Sequence, residues 1–274
     1  MAGSELFRDP LPEEEDSKMV DGQLTPNVIQ ANYYNQTATH YDESHSSEWS
    51  VVHRALKFVD GLSSTWGLNT FLDVGAGTGR ALQFFLDRGR AVRGIEPVRE
   101  LIKQAEDNGI PKGLIQEGSG DSLPFADNSF DAVLECAVLH HVPDPARVVS
   151  EMIRVAKKGV FLLDTNRFGQ GHPAVRILKL ILYKAHLWNA ARFLQTKGKM
   201  YAISEGDGLA YSYSVFDSYD QLTGWADTIV FVPVDPPDRL KKSWFHPLLT
   251  SRGALLCAVK NPVDDPEPDA LRGS

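Results

Sequence analysis

Between Thr70 and Arg80 the chain reads TFLDVGAGTGR: a short apolar run, an acid, then glycines at 75, 77 and 79. Glycines at every second position leave a backbone without Cβ atoms and free to take positive φ, so another group can approach it closely. A strand that empties into such a turn and is followed by a helical pattern belongs to an open, mainly parallel sheet. In such sheets ligands bind at the carboxyl ends of the strands, where the strand order reverses.

The rest of the chain keeps that rhythm. TFLDV, AVRGIE, GLIQE, FDAVLECA and GVFLLD read as five strands, with helices after Gly79, Pro97 and Pro143 and a shorter connection at GSGDSLPFADNS. TIVFVPV and GALLCAVK add two strands, preceded by a helix near Asp217 to Trp225. The expectation is a doubly wound α/β fold with a mostly parallel seven-stranded sheet. A helix is expected to start near Thr25-Pro26 and a second to run from Trp49 to Gly61. An insertion at about 165–215 is too long for a simple connection and reads as a helical cap. Its stretch RILKLILYKAHLWNAARFLQ reads as one long apolar helix, interrupted by Arg176, Lys179, Lys184 and Arg192. These cations are too frequent for a bilayer span and fall all round the helical wheel, so neither stable membrane insertion nor a clean membrane-surface face is expected. A lid or an oligomer helix is the better fit, in a monomer or homodimer.

Residues 1–24 and 263–274 read as mobile acidic tails around one domain, 25–262. A formal charge of −8 argues against a nucleic-acid partner. Two cysteines, Cys136 and Cys257, make no disulfide framework, and the start has no secretory pattern, so a cytoplasmic protein is expected.

The glycine loop narrows the ligand. Arg80 stands where a dinucleotide fingerprint has its third glycine, and G-K-[ST] of a P-loop is absent. Asp73 at the strand tip would oppose a pyrophosphate but suits an ammonium group. Glu96, nineteen residues after Gly77, ends the next strand and can accept both hydroxyls of a ribose. The implied ligand is nucleoside-like, cationic at one end and without phosphates. The plainer reading, that both acids only cap backbone donors, stays open.

DVGAGTG, GIEP, GDSLPFADNSFDAV and AVLHHVPDPARVVSEMIRVAKKG occur in that order. With them, residues 70–164 resemble the core of the class I S-adenosylmethionine-dependent methyltransferases, a Rossmann-like fold. The similarity is greatest to the small-molecule branch of quinone-biosynthesis and natural-product enzymes. The resemblance implies S-adenosylmethionine as cofactor and S-adenosylhomocysteine as product. It implies Asp73, Gly75, Ala76 and Gly77 at the methionine moiety, and Glu96 with Pro97 at the ribose. Ser119 and Gly120 fall at the adenine, with Asp121 in reserve because Ser119 replaces the acid many relatives carry. Cys136 and Ala137 fall near the reactive methyl.

Methyl transfer from a sulfonium needs an aligned acceptor and exclusion of water, with a base only if the acceptor must lose a proton. His140, His141 and Asp164, at strand ends on the binding side, are the candidates for that chemistry. Each has a packing or capping alternative, and on a helix the adjacent histidines would diverge. Tyr34, Tyr41, His140, Asn166, Tyr211 and Tyr213 are the candidate substrate contacts, Tyr211 and Tyr213 alternating on one side of an extended segment. No metal-ligand spacing appears, so no catalytic metal is expected. The acceptor is expected to be a small or mid-sized organic molecule, oxygen weakly preferred, with carbon equally compatible with the fold. The alternatives are a cofactor-binding relative without catalysis and a nicotinamide-dependent oxidoreductase.

Overall fold

The computed structural model describes residues 46–204, 208–236 and 246–261, with short pieces at 19–20, 23–24, 29–30, 33–34 and 37. The main strands are β1 (Thr70–Val74), β2 (Ala91–Glu96), β3 (Ile115–Glu117), β4 (Phe130–Cys136) and β5 (Ala156–Thr165). A hairpin, β6 (Tyr201–Ser204) and β7 (Gly208–Tyr211), stands apart, and β8 (Thr228–Pro233) and β9 (Gly253–Val259) return to the sheet. The seven-stranded order is β8-β9-β5-β4-β1-β2-β3, with β9 antiparallel to both neighbours and the other pairs parallel. Strand order reverses at β1, whose neighbours are β2 and β4. The loop after β1 therefore sits at the switch point.

Helices cover both faces. α1 (Ser46–Trp66) and α2 (Arg80–Leu86) close one side, where Leu56, Phe71, Phe85 and Phe161 pack. α3 (Arg99–Asp107) follows β2, and α4 (Pro145–Val155) closes the other side over Leu72, Val133, Met152 and Val160. Phe71 and Leu72, adjacent on β1, point to opposite layers, as the period of two requires. Phe71 stacks on Phe85 with ring centroids 4.3 Å apart. α4 starts where the sequence signals it: the Asp144 carboxylate accepts from Arg147 N–H at 3.2 Å, and Pro145 takes the first helical position.

The cap departs from expectation. Its apolar stretch forms two helices, α5 (Pro173–Lys184) and α6 (Trp188–Gln195). The break is a Schellman closure: His186 turns left-handed (φ 58°), and Leu187 N–H reaches back to the Leu182 carbonyl at 2.8 Å. The cations are not spread around a solvated helix either. Arg176 donates to the carbonyls of Gly171 (2.7 Å) and Leu249 (2.8 Å), and Lys179 to those of Arg167 and Gln170. Tyr183 donates to the Phe216 carbonyl at 2.8 Å. These polar groups face the protein and the apolar ones face out. The helix expected from Asp217 to Trp225 begins as a 3-10 turn, Val215–Ser218, and continues only as α7 (Tyr219–Thr223).

Within the segment expected as an N-terminal tail, Met19–Val20 pairs antiparallel with Gln23–Leu24, which is local order. The 263–274 tail lies outside the described residues. The backbone is helical at 29–30, 33–34 and 37, while the expected start at Thr25-Pro26 lies outside the described residues.

Two glycines give opposite expectations. A Cβ on Gly169, in the 3-10 turn Arg167–Gly169, would lie 1.8 Å from the Ser251 carbonyl oxygen, while one on Gly61 in α1 meets nothing within 4 Å. Gly169→Ala should lower unfolding free energy by about 1–3 kcal/mol or more through overpacking. Gly61→Ala should raise it by about 0.5–1 kcal/mol. Chemical denaturation of both variants checks the pair.

Candidate functional site

The cradle after β1 is built on β2. Gly75 N–H and Ala76 N–H both donate to the Ile95 carbonyl, at 2.8 and 2.9 Å, folding the turn back over the neighbouring strand. All three loop glycines have positive φ, 78°, 52° and 80°. Their purposes differ. A Cβ on Gly75 would come within 2.5 Å of Val138, and one on Gly79 within 2.6 Å of Ile110, so both are demanded by packing. A Cβ on Gly77 would meet nothing within 4 Å. Gly77 is the point of access.

Beneath it lie two buried acids. The Glu96 carboxylate accepts from Gly77 N–H at 2.9 Å and from Val98 N–H at 3.0 Å. Asp73 is only 2% exposed, and its buried Oδ1 has no hydrogen-bond partner. Burial raises Asp73 to about 7, helped by the negative Glu96 beside it. Burial also raises Glu96 to about 7, against the two backbone bonds that pull it down. Glu96 therefore does cap backbone donors, yet each oxygen keeps a second lone pair for a hydroxyl. Asp73 Oδ1 caps nothing. The donor set fits a ligand with hydroxyls at one end and a positive charge at the other.

Farther along the cleft, Ser119 is exposed and Gly120 half-buried, with Val74 and Val148 closing the space behind Gly120. The loop beyond is braced by α4: Leu123 N–H donates to Glu151 at 2.8 Å, and Arg154 donates to the carbonyls of Leu123 and Phe125. Asp121 is half-buried and holds Arg147 through its carbonyl at 3.0 Å. Pro97 and Ala137 are exposed, Ala137 in the left-handed region (φ 61°) with its N–H on the Leu163 carbonyl. The Cys136 thiol is pushed well up by burial and then by Asp73, Glu135 and Asp164, so it stays neutral. Three carboxylates thus converge where β1, β4 and β5 end.

Glu135 was not singled out from the sequence. It is fully buried, accepts from Val138 N–H at 3.0 Å and leaves Oε1 unpartnered. Burial and the adjacent Asp164 hold its carboxyl well above the ordinary range. The signal was present in FDAVLECA, an acid inside an apolar strand, which is seldom buried without a reason.

His140 is buried, and its Nδ1 lies 2.8 Å from Asp164 Oδ1. Asp164 also accepts the backbone N–H groups of His140 (3.2 Å) and Thr165 (2.5 Å), so both expected roles, orienting and capping, fall on one side chain. The two histidines do not diverge. Leu139–His141 is a 3-10 turn, and the rings stand 4.0 Å apart. The His141 Nδ1–H donates to the Leu209 carbonyl at 2.7 Å, and Tyr34 meets its ring edge-to-face at 6.0 Å. Tyr34 also packs on Val98 and Leu101, bridging from the Glu96 side to the histidines. Tyr41 lies outside the described residues.

Two expected substrate contacts, Asn166 and Tyr213, are buried away from any ligand. Asn166 is completely buried; its amide donates to the carbonyls of Leu248 (2.7 Å) and Ser251 (2.8 Å) and accepts from Phe168 N–H (3.0 Å). It is an internal brace. Tyr213 is also buried, its hydroxyl on Ser218 at 2.9 Å. Tyr211 and Tyr213 do not alternate along a strand, because Tyr213 N–H bonds the Tyr211 carbonyl and turns the chain. Tyr211 instead packs edge-to-face with Tyr201, at 6.0 Å. A concavity of about 490 Å³ borders the Thr78–Arg80 end of the glycine loop, with α2, His53 of α1, and Asn108 and Ile110 after α3; neither Asp73 nor Glu96 lines it. No group of three or more His, Cys, Asp or Glu suited to a metal occurs among the described residues.

Comparison with known proteins bears on this cradle. Residues 72–163 match the methyltransferase domain family. An uncharacterized methyltransferase of Mycobacterium tuberculosis (strain H37Rv) is 31% identical over 182 residues, covering 60% of this chain and 70% of that protein. The chain belongs to the methyltransferase family. An uncharacterized methyltransferase of Mycobacterium sp. (strain JLS) is 34% identical over 161 residues, and there the match spans 55% of this chain and 63% of the relative. Magnesium protoporphyrin IX methyltransferase of Synechocystis, solved with bound S-adenosylhomocysteine, superposes with a TM-score of 0.56 at 14% identity, covering 86% of this chain and all of that one. A Thermotoga maritima S-adenosylmethionine-dependent methyltransferase, described as a possible histamine N-methyltransferase, gives 0.52 at 17% identity over 84% and 99% of the two chains. At such identity these two structures establish the fold, which is that of the class I enzymes.

The paired acids make the ligand-free protein pH-sensitive. Their ordinary values, 3.8 and 4.5, rise to about 7 on folding, so between these limits the folded form binds more protons than the unfolded chain. This pair's contribution to stability should therefore fall as pH rises from about 4 to about 7, by a few kcal/mol per group. Asp73→Asn and Glu96→Gln should each flatten that decline in thermal unfolding; an unchanged slope would contradict the assignment.

Proposed function

We propose that this methyltransferase moves the methyl group of S-adenosylmethionine to a small or mid-sized organic acceptor, with oxygen the preferred receiving atom. One observation carries the reading: an unpartnered, buried Asp73 oxygen and the Glu96 carboxylate lie beneath the one loop glycine that opens to ligand. Asp73 would hold the cationic amino-acid end and Glu96 the ribose hydroxyls, with Ser119 and Gly120 along the adenine. Cys136 and Ala137 would border the sulfonium. When bound, the cofactor supplies an already activated methyl group.

The protein's remaining task is to place the acceptor, exclude water and hold a proton. His140 is suited to the last. With Nδ1–H committed to Asp164, a neutral ring carries its lone pair on Nε2, and the carboxylate fixes that tautomer and favours the imidazolium that forms. This arrangement is worth most for a hydroxyl acceptor, which must lose its proton. A nicotinamide cofactor is disfavoured by Arg80 and by two acids under the loop, which would oppose a pyrophosphate.

Calorimetry tests the cofactor reading: S-adenosylhomocysteine should bind and NAD should not. Glu96→Gln should weaken S-adenosylhomocysteine by about 10–100-fold through lost charge-assisted hydrogen bonds, and an unchanged affinity would remove Glu96 from the ribose. His140→Ala should leave that affinity within about twofold while lowering methyl transfer to hydroxylated aromatic acceptors by about 10²–10⁴-fold. Full turnover in that variant would exclude His140 as the base.

A further inference from the structure

The cap is built with its polar side inward. The outward face of α5 carries Ala174, Ile177, Leu178 and Ile181 at helical spacing, while Arg176, Lys179 and Tyr183 bond carbonyls underneath. Neither α5 nor α6 contains a buried residue. The apolar exposure continues along the chain: Leu178 is 52% exposed, Ile181 58%, Leu187 in the intervening turn 53%, Phe193 57%, Leu194 77% and Ile203 on β6 61%. α5 and α6 touch each other across that three-residue turn. Large apolar side chains exposed in this number on consecutive elements mark an interaction surface.

Charge says what kind. From Thr165 to Ser204 there are seven Lys or Arg and not one Asp or Glu, so this segment carries +7 in a chain whose total is −8. The inward cations are held by carbonyls and the buried Arg167 by Asp217. Lys184, Lys197 and Lys199 remain exposed among the apolar side chains. A second copy of this chain would bring one strongly basic face against another. Among the described residues no helix is long and apolar enough to cross a membrane. Short helices with an apolar outer face and lysines at their margins instead suit the boundary between lipid headgroups and acyl chains, where long cationic side chains reach back to the phosphates.

We propose that the cap docks reversibly on an anionic membrane surface. Ile177, Leu178, Ile181, Phe193 and Leu194 enter the interface, and Lys184, Lys197 and Lys199 contact lipid phosphates. The acidic remainder of the chain is repelled by the same surface, which orients the molecule cap-first. This surface is independent of the methyl-transfer reading.

Vesicle flotation of the full chain tests the idea, using phosphatidylcholine alone and phosphatidylcholine with about one-third phosphatidylglycerol. The bound fraction should be about tenfold higher on the anionic vesicles and should fall as salt is raised. Ile181→Asp with Leu194→Asp should reduce it about tenfold, as should Lys184→Glu with Lys197→Glu and Lys199→Glu. Unchanged thermal unfolding would show that each variant is folded without reference to any cofactor. Equal or absent binding on the two vesicles would overturn the proposal. So would a wild-type dimer in light scattering that Leu194→Asp splits, because a second copy would then cover the face.

Discussion

Two carboxylates held out of water beside each other are the constraint around which the cradle is organised. Burying an unpaired charge is costly, and the acids respond by titrating near neutrality. A fold keeps such a pair only by over-determining its surroundings. Parallel pairing sets Asp73 opposite Gly94 and Val74 opposite Ile95, and the Ile95 carbonyl takes two loop N–H groups. A Cβ at Gly94 would stand 2.7 Å from that of Ala76, so a bare position in the middle of β2 lets the loop fold onto it. The turn is therefore specified by four glycines, not three. The fourth lies in the neighbouring strand.

What the sequence made legible was local in cause. Five of the seven sheet strands appear within one residue of their expected bounds; GLIQE begins two residues late and the GVFLLD strand three residues early, at Ala156. Strand periodicity, the Asp144-Pro145 start of α4 and the glycine-plus-acid pattern after β1 act over a few residues, so they can be read one segment at a time. The misreadings share the opposite property. Asn166 looks like a polar side chain at the binding end of a strand, but its partners lie 82 and 85 residues away at Leu248 and Ser251. The orientation of α5 depends on carbonyls of the Arg167–Gly171 turn and of Leu249, which no helical wheel contains. Glu135 reads as one charge in an apolar run until β5 sets Asp164 beside it.

That acid gives the histidine pair its setting. Glu135, Asp164 and Asp73 each raise the Cys136 thiol, and Glu135 and Asp164 also raise the Tyr213 hydroxyl. Among these groups His140 is the one that becomes positive when protonated, and it is bonded to Asp164. A proton on Nε2 of His140 would have the Asp164 carboxylate as its partner across the ring. His141, its ring 4.0 Å from that of His140, has different partners, the β7 backbone and Tyr34. One 3-10 turn thus separates two tasks: a histidine anchored to the sheet, and a histidine joining the N-terminal helical segment to the cap hairpin.

The cap's inverted build also bears on motion. The sheet's stability rests on strands buried on both faces, such as β9, where six of seven residues are buried. α5 and α6 bury no residue completely and are fastened largely by long side chains donating to loop carbonyls. Few buried apolar contacts mean a low free energy of local opening, so the cap should open well before the sheet does. Its inner side rests on the Arg167–Gly169 turn beside Asp164, and its hairpin supplies the carbonyl that holds His141. The hairpin is held differently: Gly208 and Leu209 are buried and β7 packs on the histidine turn, so the carbonyl that holds His141 should stay in place when α5 and α6 open.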